Sequence, residues 1–383
     1  MPMQLSIRRA QSCAEGAREA VEAFHAGVAQ AKMALVVFFC ASDYDLDAIA
    51  AEMRQRFAGV PVIGCTTAGE IGPAGYCEHS LSGASFAAAD FRVACGCLDE
   101  LHAATPSRCQ ALTSTLMRQL ERQGGTADEN HCFAWTMIDG LSVREESIVR
   151  FMQSAFGNIP LLGGSAGDGG RFGRTAIYCD GYFRSDRAVF ALIATDLPFR
   201  LIKTQGIEAT EERLVVTEAL PEQRIVKEIN GLPAAGEYAR VLDTAVSRLT
   251  DEIFMQHPLV AMINGVCYAR SIQRVNADGS LQLYCAIDNG LVLRVGRCAG
   301  LADNLDSELA AIDADIGTPQ IILAGDCVHR KLEMACSPDR QRVEELLQRH
   351  HVTGFGTYGE QYRGIHINQT FVGVAIGSGG TLP

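Results

Sequence analysis

The apolar positions along this chain fall into short blocks, separated by amphipathic stretches and glycine-rich corners, and the same succession occurs three times. In the first copy, Leu35-Val-Val-Phe-Phe-Cys40 precedes residues 45–57. There Leu46, Ile49, Ala50, Met53 and Phe57 recur at three- and four-residue steps, and Val60-Pro-Val-Ile-Gly-Cys65 follows. The second copy runs from Cys132–Ile138 through 144–156 to Ile159–Asp168. The third runs from Gln320–Gly325 through 339–350, with Val343, Leu346 and Leu347 on one face, to Val352–Glu360. A period between three and four marks a helix with one buried face. Short apolar blocks without alternation are strands covered on both faces. A strand–helix–strand unit crosses over right-handed and lays its strands parallel. The predicted fold class is therefore α/β, built of repeated strand–helix–strand units.

Each unit ends in a corner of common grammar. Gly64, Thr67, Gly69 and Glu70 match Gly354, Thr357, Gly359 and Glu360 position for position, while the middle copy, Gly163, Ser165, Gly167 and Asp168, is one residue shorter. Glycine permits positive φ and close backbone approach. The hydroxyl can bond the turn backbone, and the acid can accept from N–H groups or face a ligand. As a cradle at the carboxyl ends of parallel strands, the corners make Thr67, Glu70, Ser165, Asp168, Thr357 and Glu360 candidate ligand contacts. As tight turns of a repeated fold, they are structural. No Gly-Lys-Ser/Thr follows them, and strands rather than helices come next, at Leu81, Ala188 and Gln369, which disfavours nucleotide binding.

Between Leu197 and Leu232 the chain becomes more charged and carries Pro198 and Pro221, with Pro233 just beyond. This shift places a domain boundary near residue 220, giving domains 1–220 and 221–383. Past it, Arg240–Met255 reads as a helix. Tyr268–Val275, Leu281–Ile287 and Gly290–Val295 read as an antiparallel meander, with hairpin turns at Asn276-Ala-Asp-Gly279 and Asp288-Asn-Gly290.

A length of 383 residues with 48 % apolar content supports two domains with a sizeable core. A net charge of −12 without a dense Lys/Arg cluster argues against nucleic acid and anionic membranes as partners. Met1–Arg9 lacks the apolar core of a signal peptide, and no apolar run reaches the roughly 18 residues of a membrane span. The expected location is the cytoplasm. There the 14 cysteines, irregularly spaced, are expected to be reduced and mostly buried. Cys95 and Cys97 are the one close pair. A strand puts them on one face, and no second pair completes a zinc set.

Several of these segments resemble a known family. Gly64-Cys-Thr-Thr-Ala-Gly-Glu-Ile-Gly72 resembles the diagnostic element of the FIST N-terminal domain, and Gly163-Gly-Ser-Ala-Gly-Asp168 its second glycine-rich element. Gly354–Glu360, His366-Ile-Asn-Gln-Thr370, Tyr268-Ala-Arg270, Asp278–Leu281 and Asn289–Leu293 resemble the FIST C-terminal domain. The resemblance implies two FIST-type domains and a sensory role, with amino acids among the ligands proposed for the family. Stand-alone chains with this style of C-terminus resemble the nitric-oxide-sensing haem proteins NosP. That implies non-covalent haem b and a partner histidine kinase. No catalytic residues carry over, and the chain is expected not to be an enzyme.

Haem requires an axial His, Cys, Tyr or Met in an apolar pocket. His366, in Gly-Ile-His-Ile-Asn, is the first candidate for the iron, and His257, in Met-Gln-His-Pro-Leu, the second. His329, Cys327, Tyr358 and Tyr362 are alternatives. His350 and His351 end a helix and suit its terminal carbonyls. Arg270 and Arg294 offer forked donors for propionates or an acidic ligand. Ser165, Asp168 and Arg171 would suit an amino acid. Cys65, with Glu70 and His79, is the candidate nucleophilic centre of an enzyme, although its counterparts are Gly164 and Phe355.

Overall fold

The computed structural model describes residues 5–263 and 265–378. Residues 1–4 of the N-terminal reading, and the end of the second domain past 378, lie outside the described residues. Three copies of one eight-element unit make the body. The first is β1 (Ile7–Ser12), α1 (Ala17–Val28), β2 (Met33–Ala41), α2 (Leu46–Arg56), β3 (Val62–Thr67), the hairpin β4 (Glu70–Gly72) and β5 (Gly75–Cys77), and β6 (Leu81–Ala87). The second is β7 (Phe91–Asp99), α3 (Pro106–Arg122), β8 (Cys132–Ile138), α4 (Glu145–Phe156), β9 (Leu161–Ser165), the hairpin β10 (Ile177–Cys179) and β11 (Tyr182–Arg184), and β12 (Arg187–Thr195).

The third unit opens with β13 (Phe199–Thr204) and is then interrupted. The insertion holds β14 (Ile207–Leu220), β15 (Ile225–Ile229), β16 (Leu232–Pro233), α5 (Ala234–Val241), α6 (Asp251–Gln256), β17 (Leu259–Ile263), β18 (Val266–Arg270), β19 (Ile272–Val275), β20 (Leu281–Leu283) and β21 (Val292–Cys298). The unit resumes with α7 (Leu301–Ile316), β22 (Ile321–Cys327), α8 (Val328–Cys336), α9 (Arg340–Arg349), β23 (Val352–Thr357), the hairpin β24 (Glu360–Tyr362) and β25 (Ile365–Ile367), and β26 (Phe371–Ile376).

Each unit supplies four strands to its own six-stranded sheet and lends its hairpin to another. The first sheet runs β1-β6-β2-β3-β10-β11, the second β7-β12-β8-β9-β24-β25, and the third β13-β26-β22-β23-β4-β5. The pairs β2–β3, β8–β9 and β22–β23 are parallel, as the strand–helix–strand pattern requires. One apolar core joins the inner faces of all three sheets, with Phe39, Trp135, Leu323 and Phe355 in it, and Phe39 stacks on Phe355 at 4.6 Å. Each outer face is covered by its own unit's helices: Phe24 and Met53 on the first sheet, Leu116 and Met152 on the second, Leu309 and Leu347 on the third. Burial on both sides explains why these strands read as unbroken apolar runs.

The insertion forms a separate eight-stranded antiparallel sheet, β18-β17-β21-β14-β15-β20-β19 with β16 on β15, around its own core of Leu214, Tyr238, Phe254 and Leu293. The boundary drawn at residue 220 falls at the end of β14, within this sheet. The joints of the architecture lie where β13 leads into β14 and β21 into α7. Arg240–Met255 is not one helix. Its apolar spacing is shared between α5 and α6, with a short 3-10 turn at Val246–Arg248 between them. Nor is the meander continuous: β19 and β20 do pair across Asn276–Gly279, but β21 pairs with β14 and β17. The third unit also has α8, which the sequence pattern did not separate from β22.

Gly354 of β23 pairs with Ala324 of β22, and a Cβ there would overlap the carbonyl oxygen of Ala324. Gly354→Ala is expected to destabilise the protein by about 1–3 kcal/mol, as overpacking does, read as a lower urea midpoint with an unchanged m-value.

Candidate functional site

The three glycine corners converge on one axis and bond to one another. Gly167 N–H donates to Thr66 O at 3.0 Å, Ala68 N–H to Gly356 O at 2.9 Å, and Tyr358 N–H to Ser165 O at 3.1 Å. These bonds close a cycle through all three units. They also fix the equivalences: Thr66, Ser165 and Gly356 occupy one position, Ala68, Gly167 and Tyr358 another. By the same register Ile177, not Asp168, stands where Glu70 and Glu360 stand, since Cys65, Gly164 and Phe355 pair with Ile177, Glu360 and Glu70 respectively. Asp168 begins an insertion of the middle unit. The matching hydroxyl position is Ala166, so the middle unit lacks both acid and hydroxyl.

Those two belong together for a physical reason. Glu70 and Glu360 are fully buried, and each accepts from the turn threonine, Thr67 or Thr357. Glu70 also takes the N–H and hydroxyl of Ser80 at 3.0 and 2.8 Å, and Glu360 those of Thr370 at 3.2 and 2.6 Å. A buried carboxylate without such donors is costly, so loss of the hydroxyl goes with loss of the acid. Thr67, Glu70, Thr357 and Glu360 thus spend their polar atoms inside the corners. Asp168 is engaged differently, accepting from the N–H groups of Phe172, Gly173 and Arg174 at 2.7–2.9 Å and from the Tyr358 hydroxyl. Burial opposes its ionisation, but these donors hold its carboxyl below the usual range.

Ser165 leads elsewhere. Its hydroxyl accepts from Gln361 Nε2 at 2.9 Å, and the same amide lies 3.1 Å from His366 Nδ1. Gln361 and His366 are opposite each other on the β24–β25 hairpin. The equivalent cross-strand pairs are Ile71 with Tyr76 and Tyr178 with Phe183, so the third hairpin alone of the three sets two hydrogen-bonding side chains there. Around them polar atoms are buried without a partner among the described residues: Gln361 Oε1, His366 Nε2, both amide atoms of Asn368, Gln369 Oε1, and Arg270 Nε and Ser271 Oγ from the insertion. Gly359, at φ +146°, leaves just enough space. A Cβ built on it would lie 2.6 Å from His366 Nε2 and 2.9 Å from Asn368 Nδ2. Gln369 Nε2 lies 3.3 Å from His329 Nδ1, and burial pushes that imidazole down to about 4, so it is neutral. The rings of Tyr284 and His329 meet edge to face at 5.2 Å, and Tyr284 lies 6.1 Å from Tyr358. The result is a seam between the third hairpin, the middle unit and the insertion.

A buried ion pair clamps the seam. Arg224, from the insertion, reaches Glu145 at 2.7 Å and Glu146 at 2.5 Å at the start of α4, and donates to Tyr284 O at 2.6 Å. Burial works against the Glu146 carboxylate, but Arg224 outweighs it and holds the group well below the usual carboxylate range. Burial also pushes His366 below the ordinary imidazole range, against the attraction of Glu146 and Glu145.

The structure therefore brings Ser165, Tyr358, Arg270 and His366 to one place, with Asp168 behind Tyr358. His257 and Arg294 lie on the insertion. His257 lines a cavity of about 410 Å³ with Thr210, Arg240 and Arg297, and Arg294 donates to Thr210 O at 3.1 Å. Arg171 bonds Ser42 Oγ at 2.6 Å and faces an outer groove. Tyr362 lies under Lys203, 6.0 Å from its ammonium. His350 bonds Leu346 O at 3.0 Å, as a helix-terminal histidine should. Gln361, Asn368, Gln369 and Tyr284 escaped the sequence reading. For Gln361 the available signal was an amide where the sister hairpins carry Ile71 and Tyr178.

These surroundings do not fit haem. An axial histidine needs an apolar slot open at one ring nitrogen. His366 has Gln361 at Nδ1 and Gly359 and Asn368 packed at Nε2, and charged side chains line the His257 cavity. Cys65 is fully buried, and burial, then Cys40 and Glu70, push its thiol well above the ordinary range. His79 bonds Asp43 at 3.0 Å near the surface instead. The thiolate–imidazole pair required for nucleophilic attack is not assembled.

Sequence comparison identifies the family and divides the chain within the insertion. The FIST N domain matches residues 34–232 and the FIST C domain residues 234–363. The chain belongs to the FIST family, whose domains are small-ligand sensor domains. The uncharacterized protein MJ1623 of Methanocaldococcus jannaschii is 30 % identical over 134 residues, 31 % of this chain, and the chain spans 26 % of that relative's length. Two cyanuric acid hydrolases align over 97 % of this chain and 99 % of their own. One, from A. caulinodans, has 10 % identity and a TM-score of 0.37, the other 11 % and 0.31. These alignments correct the expectation that the chain is not an enzyme: matched along its length to hydrolases, it is no longer excluded from turnover. At such TM-scores the likeness transfers no reaction and no catalytic residue. Among the described residues no helix is long and apolar enough to cross a membrane.

Two outcomes follow from this geometry. Burial raises both Glu70 and Glu360 from 4.5 to about 8. Between pH 4.5 and about 8 the unfolded chain releases protons that the folded chain keeps, so stability falls as pH rises through that window. Urea unfolding across this range should show the fall, and Glu70→Gln with Glu360→Gln should flatten it. Arg224→Ala strands the fully buried Glu145, with an expected loss of about 3–5 kcal/mol, and Arg224→Met with Glu145→Leu should recover most of it in the same assay.

Proposed function

We propose that this protein is a sensor whose small polar ligand, an amino acid or similar metabolite, binds at the seam of His366, Asn368, Gln361, Gln369 and Arg270. The observation that carries this reading is the concentration of unpartnered buried polar atoms on the third hairpin and the facing insertion. Each such atom costs about 1–3 kcal/mol until something bonds it, and the sister hairpins carry no such residue pair. A ligand bearing both donors and acceptors offsets that cost. Arg270 supplies a fork for a carboxylate, while Gln361 and Gln369 carbonyls accept from an ammonium.

The seam also supplies a means of output. It joins the insertion to the repeat body through Arg224, so a ligand that bonds both sides biases their relative placement. The family resemblance makes a histidine kinase the partner to test first. Haem and nitric oxide find no support in the packing around His366.

A thermal-shift screen of amino acids, followed by calorimetry, tests the proposal. Asn368→Leu should abolish the ligand-induced shift and leave the ligand-free protein as stable as wild type or more so, because it removes orphaned polar atoms. A variant that binds the ligand as wild type does, or that is itself strongly destabilised, would sink the reading.

A further inference from the structure

The edge strand β7 and the hairpin β10–β11 belong to one unit but lie in different sheets. A disulfide joins Cys97 of β7 to Cys179 at the end of β10. This departs from the expectation that the cysteines are reduced; the fold, through the exchanged hairpin, supplies the partner that spacing alone did not show. Asp180 follows at the hairpin turn, with φ +55°. Its carboxylate oxygen is 3.8 Å from Cys97 Sγ, and one ligand atom each of Cys97, Cys179 and Asp180 lie within 4.8 Å of one another. Cys95 shares a strand face with Cys97. With Cys179 and Asp180 it lines an outer groove of about 620 Å³ between the first two units. The hairpin is fixed from both sides: Arg54 bonds Gly181 O, and Arg187 bonds Cys179 O at 3.0 Å.

We propose that Cys97, Cys179 and Asp180 form a Zn²⁺ site in the reduced protein, with Cys95 in the same groove as the fourth candidate donor. Two thiolates and one carboxylate, drawn together beside an accessible groove, suit a borderline-soft divalent cation. The disulfide gates the site, because sulfurs bonded to each other offer no thiolates. A small dithiol opens it by exchange: the Cys97–Cys179 bond breaks, the dithiol closes to its own disulfide, and two protein thiols form. Zn²⁺ then displaces the two thiol protons to solvent.

The full chain, reduced with a dithiol and desalted without oxygen, is titrated with Co²⁺. The expected result is a single Co²⁺ per chain with thiolate-to-cobalt charge-transfer absorption, bleached by Zn²⁺ and absent from protein kept oxidised. Cys97→Ser with Cys179→Ser should weaken binding by more than about tenfold. Cys13→Ser with Cys77→Ser, which removes a separate sulfur pair 3.6 Å apart, should leave it unchanged. Circular dichroism of each metal-free variant checks the fold. Absence of thiolate bands in the reduced wild type, their survival in the first double variant, or their loss in the second overturns the proposal.

Discussion

Three peptide N–H groups, those of Ala68, Gly167 and Tyr358, each reach a carbonyl of a different unit and so close a cycle about the molecular axis. Buried backbone groups must be paired, and here no unit can pair its corner alone. Much else depends on this constraint. It brings the ends of β3, β9 and β23 within bonding distance, which lets each hairpin seat in a neighbouring sheet and draws the inner faces of three sheets onto one core. It also explains the chemistry of the corners, whose threonines and acids hold the turn in shape.

Symmetry marks the proposed site by its exceptions. Where the body needs only packing, the hairpins carry Ile71 with Tyr76 and Tyr178 with Phe183. Where the insertion docks, the same positions become Gln361 and His366. The middle unit has exchanged its acid and hydroxyl for Ile177 and Ala166, freeing the loop from Asp168 onward to hold the Tyr358 hydroxyl. Departures of this kind concentrate on the side facing the insertion, where the polar atoms lack partners.

Much of the repeat was legible in the chain. Helices α2 and α9 follow from the three- and four-residue steps of Ile49, Met53, Val343 and Leu347, and the parallel strands from their unbroken apolar runs. That Asp168 is not the counterpart of Glu70 was not legible, because an insertion and a chance acid imitate a one-residue deletion, and only strand register separates the two. His366 and Ser165 were visible as candidates, whereas Gln361 and Asn368 were not: a glutamine or asparagine in a sequence carries no sign of being buried. The route from β20 to β21 was hidden for a related reason, since local turns specify a reversal but not which strand lies alongside afterwards.

The exchange of hairpins has a temporal side. Ile71 pairs with Gly354, a residue the ribosome adds 283 positions later. At about 5–20 residues per second, the first hairpin waits on the order of tens of seconds for its seat. Throughout that interval the nascent chain presents open strand edges, which are templates for pairing with other chains. Its passage through synthesis therefore calls for a holding chaperone, or for slow exposure of the first unit, far more than the closed molecule does.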